Sequence, residues 1–284
     1  AKCTIIDSKG LKGFSSRQIV GNLQNDWPQL RAERITFPEI EQGEIYPEVL
    51  ARALEVPDNR AKLAEAVKAV AADAEAIGMP AIFGIHAPDQ VMADLQDLLG
   101  IPIFEIPTIP PSVPGIRLRE LFEQVFPQKG LTLIPQQKVL SVDLQEKIIK
   151  LDLKDNYGPI QINSRTVILA TGRFICGGLE AHMEGITEPL LCLPVTQPES
   201  RDLLYEQHYM DKGGHEIHRT GIEVDEQFRP LDREGKVVHQ GLFGAGILLA
   251  HQDWIRGRCG AGIAVATAYK AVQAAQSFLQ PPAA

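Results

Sequence analysis

The chain lacks any pair of cysteines close enough to hold a metal together. Cys3, Cys176, Cys192 and Cys259 are widely separated, which argues against the closely spaced thiolates of zinc sites and of iron–sulfur clusters bound by this chain alone. No metal is therefore expected, and the compartment is expected to be reducing. No apolar run approaches the roughly 20 residues of a membrane span. Even the stretch from Val265 to Phe278 is interrupted by Lys270 and by glutamines, so no transmembrane segment is expected. Ala1 to Asp7 reads as a short strand that meets Asp7 before any cleavage region, so no leader is expected either. Clustered lysine and arginine are missing, and the net charge of −8 disfavours a nucleic-acid partner. One further absence concerns phosphate binding: nothing between Ala1 and Arg34 has the Gly-x-Gly-x-x-Gly spacing of a dinucleotide turn. Gly10 and Gly13 do lie between a strand and a helix, but Ser8 to Gly13 reads as a plain connection that uses glycine for backbone freedom.

What is present is an ordinary globular composition. The 284 residues are 44% hydrophobic and 23% charged, enough for two lobes with their own cores. The first third alternates strand and helix signals: a strand at Thr4 to Ile6, a helix from Arg17 to Leu23, a strand from Arg34 to Phe37, and an irregular acidic stretch from Pro38 to Pro47. Leu63, Val67, Val70 and Ala74 share one helical face, so a helix is expected from Arg60 to Ile77 with Gly78 as its stop. Ala81 to Ile85 reads as a buried strand, Asp89 to Leu98 as a helix capped by Asp89, and Ile101 to Ile106 as another strand.

The proline-rich Pro107 to Pro114 marks a lobe crossing. A helix to Phe126 follows, with Leu118, Leu121, Phe122 and Val125 on one stripe. Period-two segments at Leu131 to Ile134, Val139 to Leu144, Ile148 to Leu153 and Ile160 to Ile162 predict an antiparallel meander with a turn at Asp155 to Gly158. Val167 to Ala170 is a continuous apolar run, expected to be a strand buried on both faces and leading into Thr171 and Gly172. Near the C-terminus, Gly241 to Gly246 reads as a strand. Gly260 and Gly262 then open an alanine-rich helix whose positive end suits an anionic ring edge. This order of helix, meander, Ala-Thr-Gly strand and late glycine helix is that of two-dinucleotide-binding flavoenzymes.

The sequence resembles the B-type subunit family of the bacterial anaerobic glycerol-3-phosphate dehydrogenases. The resemblance rests on Pro107 to Leu118, Val167 to Leu179, Gly185 to Leu190 and Gly241 to Gly262, and it extends over nearly the whole chain. It implies a flavoprotein with FAD or FMN that acts with a catalytic flavoprotein subunit and a membrane-associated iron–sulfur subunit. Together these oxidise sn-glycerol 3-phosphate, a small phosphate substrate, to dihydroxyacetone phosphate and send electrons to the quinone pool. The expected location is the cytoplasm, at the inner face of the membrane through partner subunits. In that family a nucleotide-binding βαβ unit precedes the matched region. The expected fold is thus an α/β two-lobe FAD/NAD(P)-binding-like flavoprotein fold without its N-terminal Gly-x-Gly-x-x-Gly unit, with an antiparallel meander and an inserted α/β lobe. Residues 1–110 and 174–236 would form the α/β or substrate lobe, and 111–173 and 237–284 the flavin lobe.

Carried over to this sequence, the cofactor-facing positions would be Ala170, Thr171, Gly172, Gly244, Gly246, Gly260, Ala261, Gly262 and Ile263. Ile247 stands where many flavoproteins have an acidic residue for the ribityl chain. Without the early glycine turn, flavin affinity is expected to be lower by about 3 kcal/mol, roughly a hundredfold, so the cofactor can be absent from this chain in isolation. Arg117, Arg173, Arg256 and Arg258 are the arginines nearest those segments and the candidates for a phosphate or carboxylate, with plain surface arginine as the alternative. His251 is the candidate proton acceptor, with His182 second. His215 and His218 read as part of a solvated loop. A non-catalytic scaffold with a degenerate flavin fold is the competing function.

Overall fold

The computed structural model describes residues 1–40, 43–155, 158–208 and 211–280. It divides into two compact units, Ala1–Leu133 and Ile134–Ala284. In the first, β1 (Cys3–Ser8), α1 (Ser16–Leu23), β2 (Leu30–Ile35), α2 (Pro47–Ala53), α3 (Pro57–Ala71), β3 (Ala76–Pro80), α4 (Pro88–Leu99), β4 (Ile103–Ile106) and α5 (Val113–Gln128) follow one another. The four strands form one parallel sheet in the order β2-β1-β3-β4. Parallel neighbours need crossover connections, and the interposed helices supply them. Leu63, Val67, Val91 and Leu95 from α3 and α4 pack with Ile6 and Ile77 from β1 and β3.

The helix expected to reach Ile77 stops at Ala71, and Ala72 turns the chain with φ 45. Ile77 and Gly78 lie inside β3 instead. Gly78 is wedged between neighbouring strands, since a Cβ there would sit 2.6 Å from Ile5 Cδ1 and 2.8 Å from Phe104 Cζ. Ala81 to Ile85 is buried as expected but is not a strand. Two carboxylates hold it: Glu105 accepts from the Phe83 amide at 2.6 Å, and Glu55 from Ile85 and His86 at 2.6 and 2.8 Å. Asp89 lies in the first turn of α4 but does not cap it; Ala87 is the cap residue, with Pro88 following.

The connection after β1 is the plain one expected. The amide and hydroxyl of Ser16, at the start of α1, donate to Asp7 Oδ2 at 2.8 and 2.9 Å, so the chain's own carboxylate fills the position an anion would take. Gly10 has φ 78 and passes so close to Gly43 that a Cβ would lie 2.3 Å from its carbonyl oxygen. Burial pushes the Asp7 carboxyl up, but the Arg34 guanidinium and both Ser16 donors outweigh it and hold the group below its ordinary value. Its stabilising contribution is therefore present above the unfolded carboxyl pKa of about 4 and is lost as pH falls through the lower folded value. Asp7→Asn is expected to flatten the acid limb of a plot of urea midpoint against pH; an unchanged limb would show that Asp7 does not carry it.

α5 differs from the amphipathic reading. It docks through Val113 and Ile116 against Ala51 and Ile85, whereas Leu118, Leu121 and Phe122 of the expected core stripe are 51%, 53% and 42% exposed.

The second unit begins with β5 (Val139–Leu144), β6 (Ile149–Asp155) and β7 (Gly158–Ser164), a three-stranded antiparallel sheet in the order β5-β6-β7. Leu131 to Ile134 adds no strand, and of the turn expected at Asp155 to Gly158, residues 156 and 157 lie outside the described residues. Next come β8 (Val167–Leu169), the short strands β9 (Glu180–Ala181), β10 (Ile186–Thr187), β11 (Val195–Thr196) and β12 (Gly221–Ile222), then β13 (Leu242–Gly244), α6 (Trp254–Gly257) and α7 (Gly260–Leu279). The apolar run at β8 is fully buried only at Leu169; Val167 and Ile168 are half-buried and Ala170 is exposed.

The division at Leu133/Ile134 places α5 with the first unit, and residues 174–236 with the second. The reason is a shared core: Leu179, Ile186, Leu193, Leu204 and Ile222 pack with Leu169, Leu248 and Leu249.

Candidate functional site

β8 and β13 run parallel, with Gly244 opposite Leu169. Both end in small residues, Ala170-Thr171-Gly172 and Ala245-Gly246, and the Ala245 amide donates to the Leu169 carbonyl at 3.0 Å. α7 lies against this pair, where Ala271 and Ala275 pack on Phe243 and Ala245. Thr267 fixes its start: its hydroxyl donates to the Ile263 carbonyl at 2.6 Å and accepts from the Gly246 amide at 2.7 Å, joining the end of β13 to the helix. No side chain caps α7, leaving the first-turn amides of Gly260, Ala261 and Gly262 available at its positive end. Around Gly246 and Gly262 there is open space, since a Cβ at either would meet nothing within 4 Å. Beside β8 lies a cleft of about 490 Å³ lined in part by Val142, Leu151, Ile168, Ala170, Thr171 and Leu190. The Thr171 hydroxyl is buried without a hydrogen-bond partner.

The candidate arginines separate clearly. Arg117 is committed to the first unit: it forms a two-pronged pair with Glu105 at 2.7 and 2.8 Å and donates to the Gly84 carbonyl at 2.8 Å. Arg173 is 6% exposed and donates to the carbonyls of Ile247, Ile217, His218 and Gln252. It is an internal brace with no donor face turned to solvent. Burial pushes its pKa down and Asp253 opposes this; arginine remains charged through such a shift. Arg256 is exposed and donates to the Gly213 carbonyl at 2.9 Å. Arg258 is exposed, in a left-handed conformation that ends α6.

His251 is exposed with φ 66, and its Nε2 lies 2.7 Å from Glu223 Oε1. Thr196 donates to the same carboxylate oxygen at 2.7 Å. Burial would raise the Glu223 pKa, but the hydrogen bonds from Thr196 and His251 hold it below its ordinary value, so the imidazole faces a carboxylate at neutral pH. Such a pair can fix an imidazole's orientation. Glu223 gave no local signal in the sequence, being twenty-eight positions away. His182, the second candidate, is exposed and 3.7 Å from Glu180.

His215 and His218 are not a solvated loop. They stand at a single-turn helix, Glu216–Arg219, with their rings edge to face at 5.4 Å. Burial pushes the His218 pKa down, with Asp253 opposing and His215 and Arg173 adding to the fall. Among the described residues, no group of three or more His, Cys, Asp or Glu could hold a metal ion, and no helix is long and apolar enough to cross a membrane.

Residues 19–263 match the family model described as "FAD binding domain". The chain belongs to the FAD-binding domain family. Among curated relatives, this chain is 31% identical over 271 residues to the B-type subunit of the anaerobic glycerol-3-phosphate dehydrogenase of Pectobacterium carotovorum, covering 92% of this chain and 62% of that protein. It is 28% identical over 278 residues to the protein of the same name from Yersinia pestis, covering 94% and 63%. A probable B-type subunit of the same dehydrogenase from Halobacterium salinarum is 29% identical over 217 residues, covering 76% and 50%. The chain thus spans about three fifths of the length of the first two relatives.

The residues present offer features that the ring of a flavin could use. The open space over Gly246 and Gly262 and the uncapped amides at the start of α7 are what a flat ring with an anionic edge would use, whereas the Thr171 hydroxyl is packed toward Gly178.

Proposed function

We propose that this chain is part of a flavin-dependent oxidoreductase, in the place that the B-type subunit holds in anaerobic glycerol-3-phosphate dehydrogenase. The observation that carries the reading is the junction of β8, β13 and α7, three chain ends made of small residues with open space over Gly246 and Gly262. Ala170, Thr171, Gly172, Gly244, Gly246 and Gly260 to Ile263 would hold FAD there. A bound flavin would supply acceptance of two electrons from an organic substrate. The α7 amides would stabilise negative charge at the ring edge. His251, oriented by Glu223, would take a proton.

By this reading the partners are a catalytic flavoprotein subunit and a membrane-associated iron–sulfur subunit, the substrate is sn-glycerol 3-phosphate, and the electrons reach quinone at the inner face of the membrane. Of the candidate arginines, Arg256 and Arg258 are the two whose exposure leaves them able to meet a phosphate.

The test is flavin content, by absorbance, of this subunit isolated from the reconstituted complex, together with dye reduction driven by sn-glycerol 3-phosphate. Flavin in this subunit and substrate-dependent reduction are expected. A complex that turns over with no flavin in this subunit would favour the scaffold reading.

A further inference from the structure

Glu223 Oε1 is the meeting point of two side chains from distant parts of the chain: Thr196 Oγ1 and His251 Nε2 both lie 2.7 Å from it. Backbone pairing brings the three residues together. β11 pairs antiparallel with β12, with Thr196 opposite Gly221 and Val195 opposite Ile222, and Ile222 bridges in parallel to Leu249. Gly221 permits the close approach, since a Cβ there would lie 2.3 Å from the Leu248 carbonyl oxygen. The Ala250 amide donates to the Ile222 carbonyl at 3.0 Å and the His251 amide to the Arg219 carbonyl at 2.8 Å. His251 is held there in a left-handed conformation, φ 66, which is uncommon for a residue with a Cβ.

The types of atom at this junction fix where the hydrogens are. A carboxylate only accepts, so the Thr196 hydroxyl donates to it and the imidazole nitrogen facing it carries a hydrogen. Glu223 is a carboxylate at neutral pH, because burial would raise its pKa but the bonds from Thr196 and His251 hold it below its ordinary value. A neutral imidazole has one N–H, and with that hydrogen on Nε2 the lone pair is on Nδ1. Nδ1 has no partner among the described residues, on a side chain that is 66% exposed. Thr196 shares the oxygen that His251 uses, so it keeps Oε1 turned to the ring where an untethered carboxylate could rotate away.

We propose that Thr196 and Glu223 are positioning residues that hold the neutral ring of His251 in its Nε2–H form, so that Nδ1 is the atom that accepts the substrate's proton. The accepting role rests on the reading of His251 as proton acceptor; the form of the ring does not. In the step, the O–H bond of a substrate hydroxyl breaks, its electron pair stays on oxygen and its proton goes to Nδ1. The other tautomer would present an N–H to that hydroxyl and could accept nothing from it. Substrate therefore approaches by the ring edge that carries Nδ1, away from Glu223.

The ring nitrogens report their own state in nitrogen-15 spectra of the full chain labelled at its seven histidines. At alkaline pH, with the His251 signals assigned by His251→Gln, the Nε2–H form alone is expected for His251. Thr196→Val should admit the Nδ1–H form, as should Glu223→Gln, whose amide can donate as well as accept, and Thr196→Ser should restore the parent spectrum. In the reconstituted complex, Thr196→Val is expected to lower kcat about tenfold with KM unchanged, and Thr196→Ser to recover it. A parent spectrum with both forms, or with Nδ1–H alone, would overturn the positioning. So would a single Nε2–H form that both Thr196→Val and Glu223→Gln leave intact. A single Nε2–H form together with full turnover by His251→Gln would overturn the accepting role of Nδ1, and with it the reading of His251 as proton acceptor, while leaving the positioning in place.

Discussion

Arg173→Met is expected to destabilise the second unit by about 3 to 5 kcal/mol. The guanidinium is buried and is spent on four backbone carbonyls, those of Ile217, His218, Ile247 and Gln252. Methionine fills part of the volume and donates to none of them, so buried acceptors lose their partners and the segments around residues 217 and 252 lose their common tie. The measurement is urea unfolding of the second unit, compared with the exposed control Arg233→Met. A shift no larger than the control's would show that Arg173 is not a brace and would return it to the candidates for substrate contact.

A second large effect is expected at Gly262. A valine there should fold normally, because the position is exposed, a Cβ meets nothing within 4 Å, and glycine is the poorer helix former. The same side chain would fill the space in front of the α7 amides where the flavin is proposed to lie. Gly262→Val in the reconstituted complex is therefore expected to remove flavin from this subunit while leaving its melting temperature within a degree or two of the parent, on the scale of the few tenths of a kcal/mol that helix propensity supplies. Normal flavin content would take the start of α7 out of the cofactor site.

Sequence periodicity disclosed the elements that have one. β1 and β5 to β7 were legible from β-branched runs and alternation, and the body of α3 from its spacing. The helix predicted to end at Ile77 shows the limit: alanines recur at 72, 74 and 76 between α3 and β3, and Gly78 is a strand residue paired with Ile5 and Phe104 on the neighbouring strands. The stripe on α5 is real as a pattern, yet a pattern states that a face is apolar and says nothing of what covers it. The core of the second unit was invisible for another reason. Leu179, Leu193 and Leu204 come from loops, and Ile186 and Ile222 from two-residue strands, none of which has a period to detect.

Site residues divide in the same way. Small residues at strand ends and glycines at a helix start could be read directly, because their chemistry is the absence of a side chain. Charged residues could not. Arg117 and Arg173 had the right type and neighbourhood, but Glu105 and four carbonyls consume them, and those partners come from elsewhere in the chain. Glu223, His218 and Asp253 gain their character from contacts that no local spacing announces.

The most direct measurement uses Trp254, whose ring packs on Gly260 at the start of α7, a Cβ there lying 3.4 Å from Trp254 Cε3. In a Trp27→Phe chain it is the sole tryptophan, so its emission reports contact between flavin and this helix start. Titration with FAD is expected to quench that emission saturably, and Gly262→Val is expected to abolish the effect. FAD that binds the chain while Trp254 emission stays unchanged, or no saturable quenching at any FAD concentration, would contradict a flavin site at the junction of β8, β13 and α7.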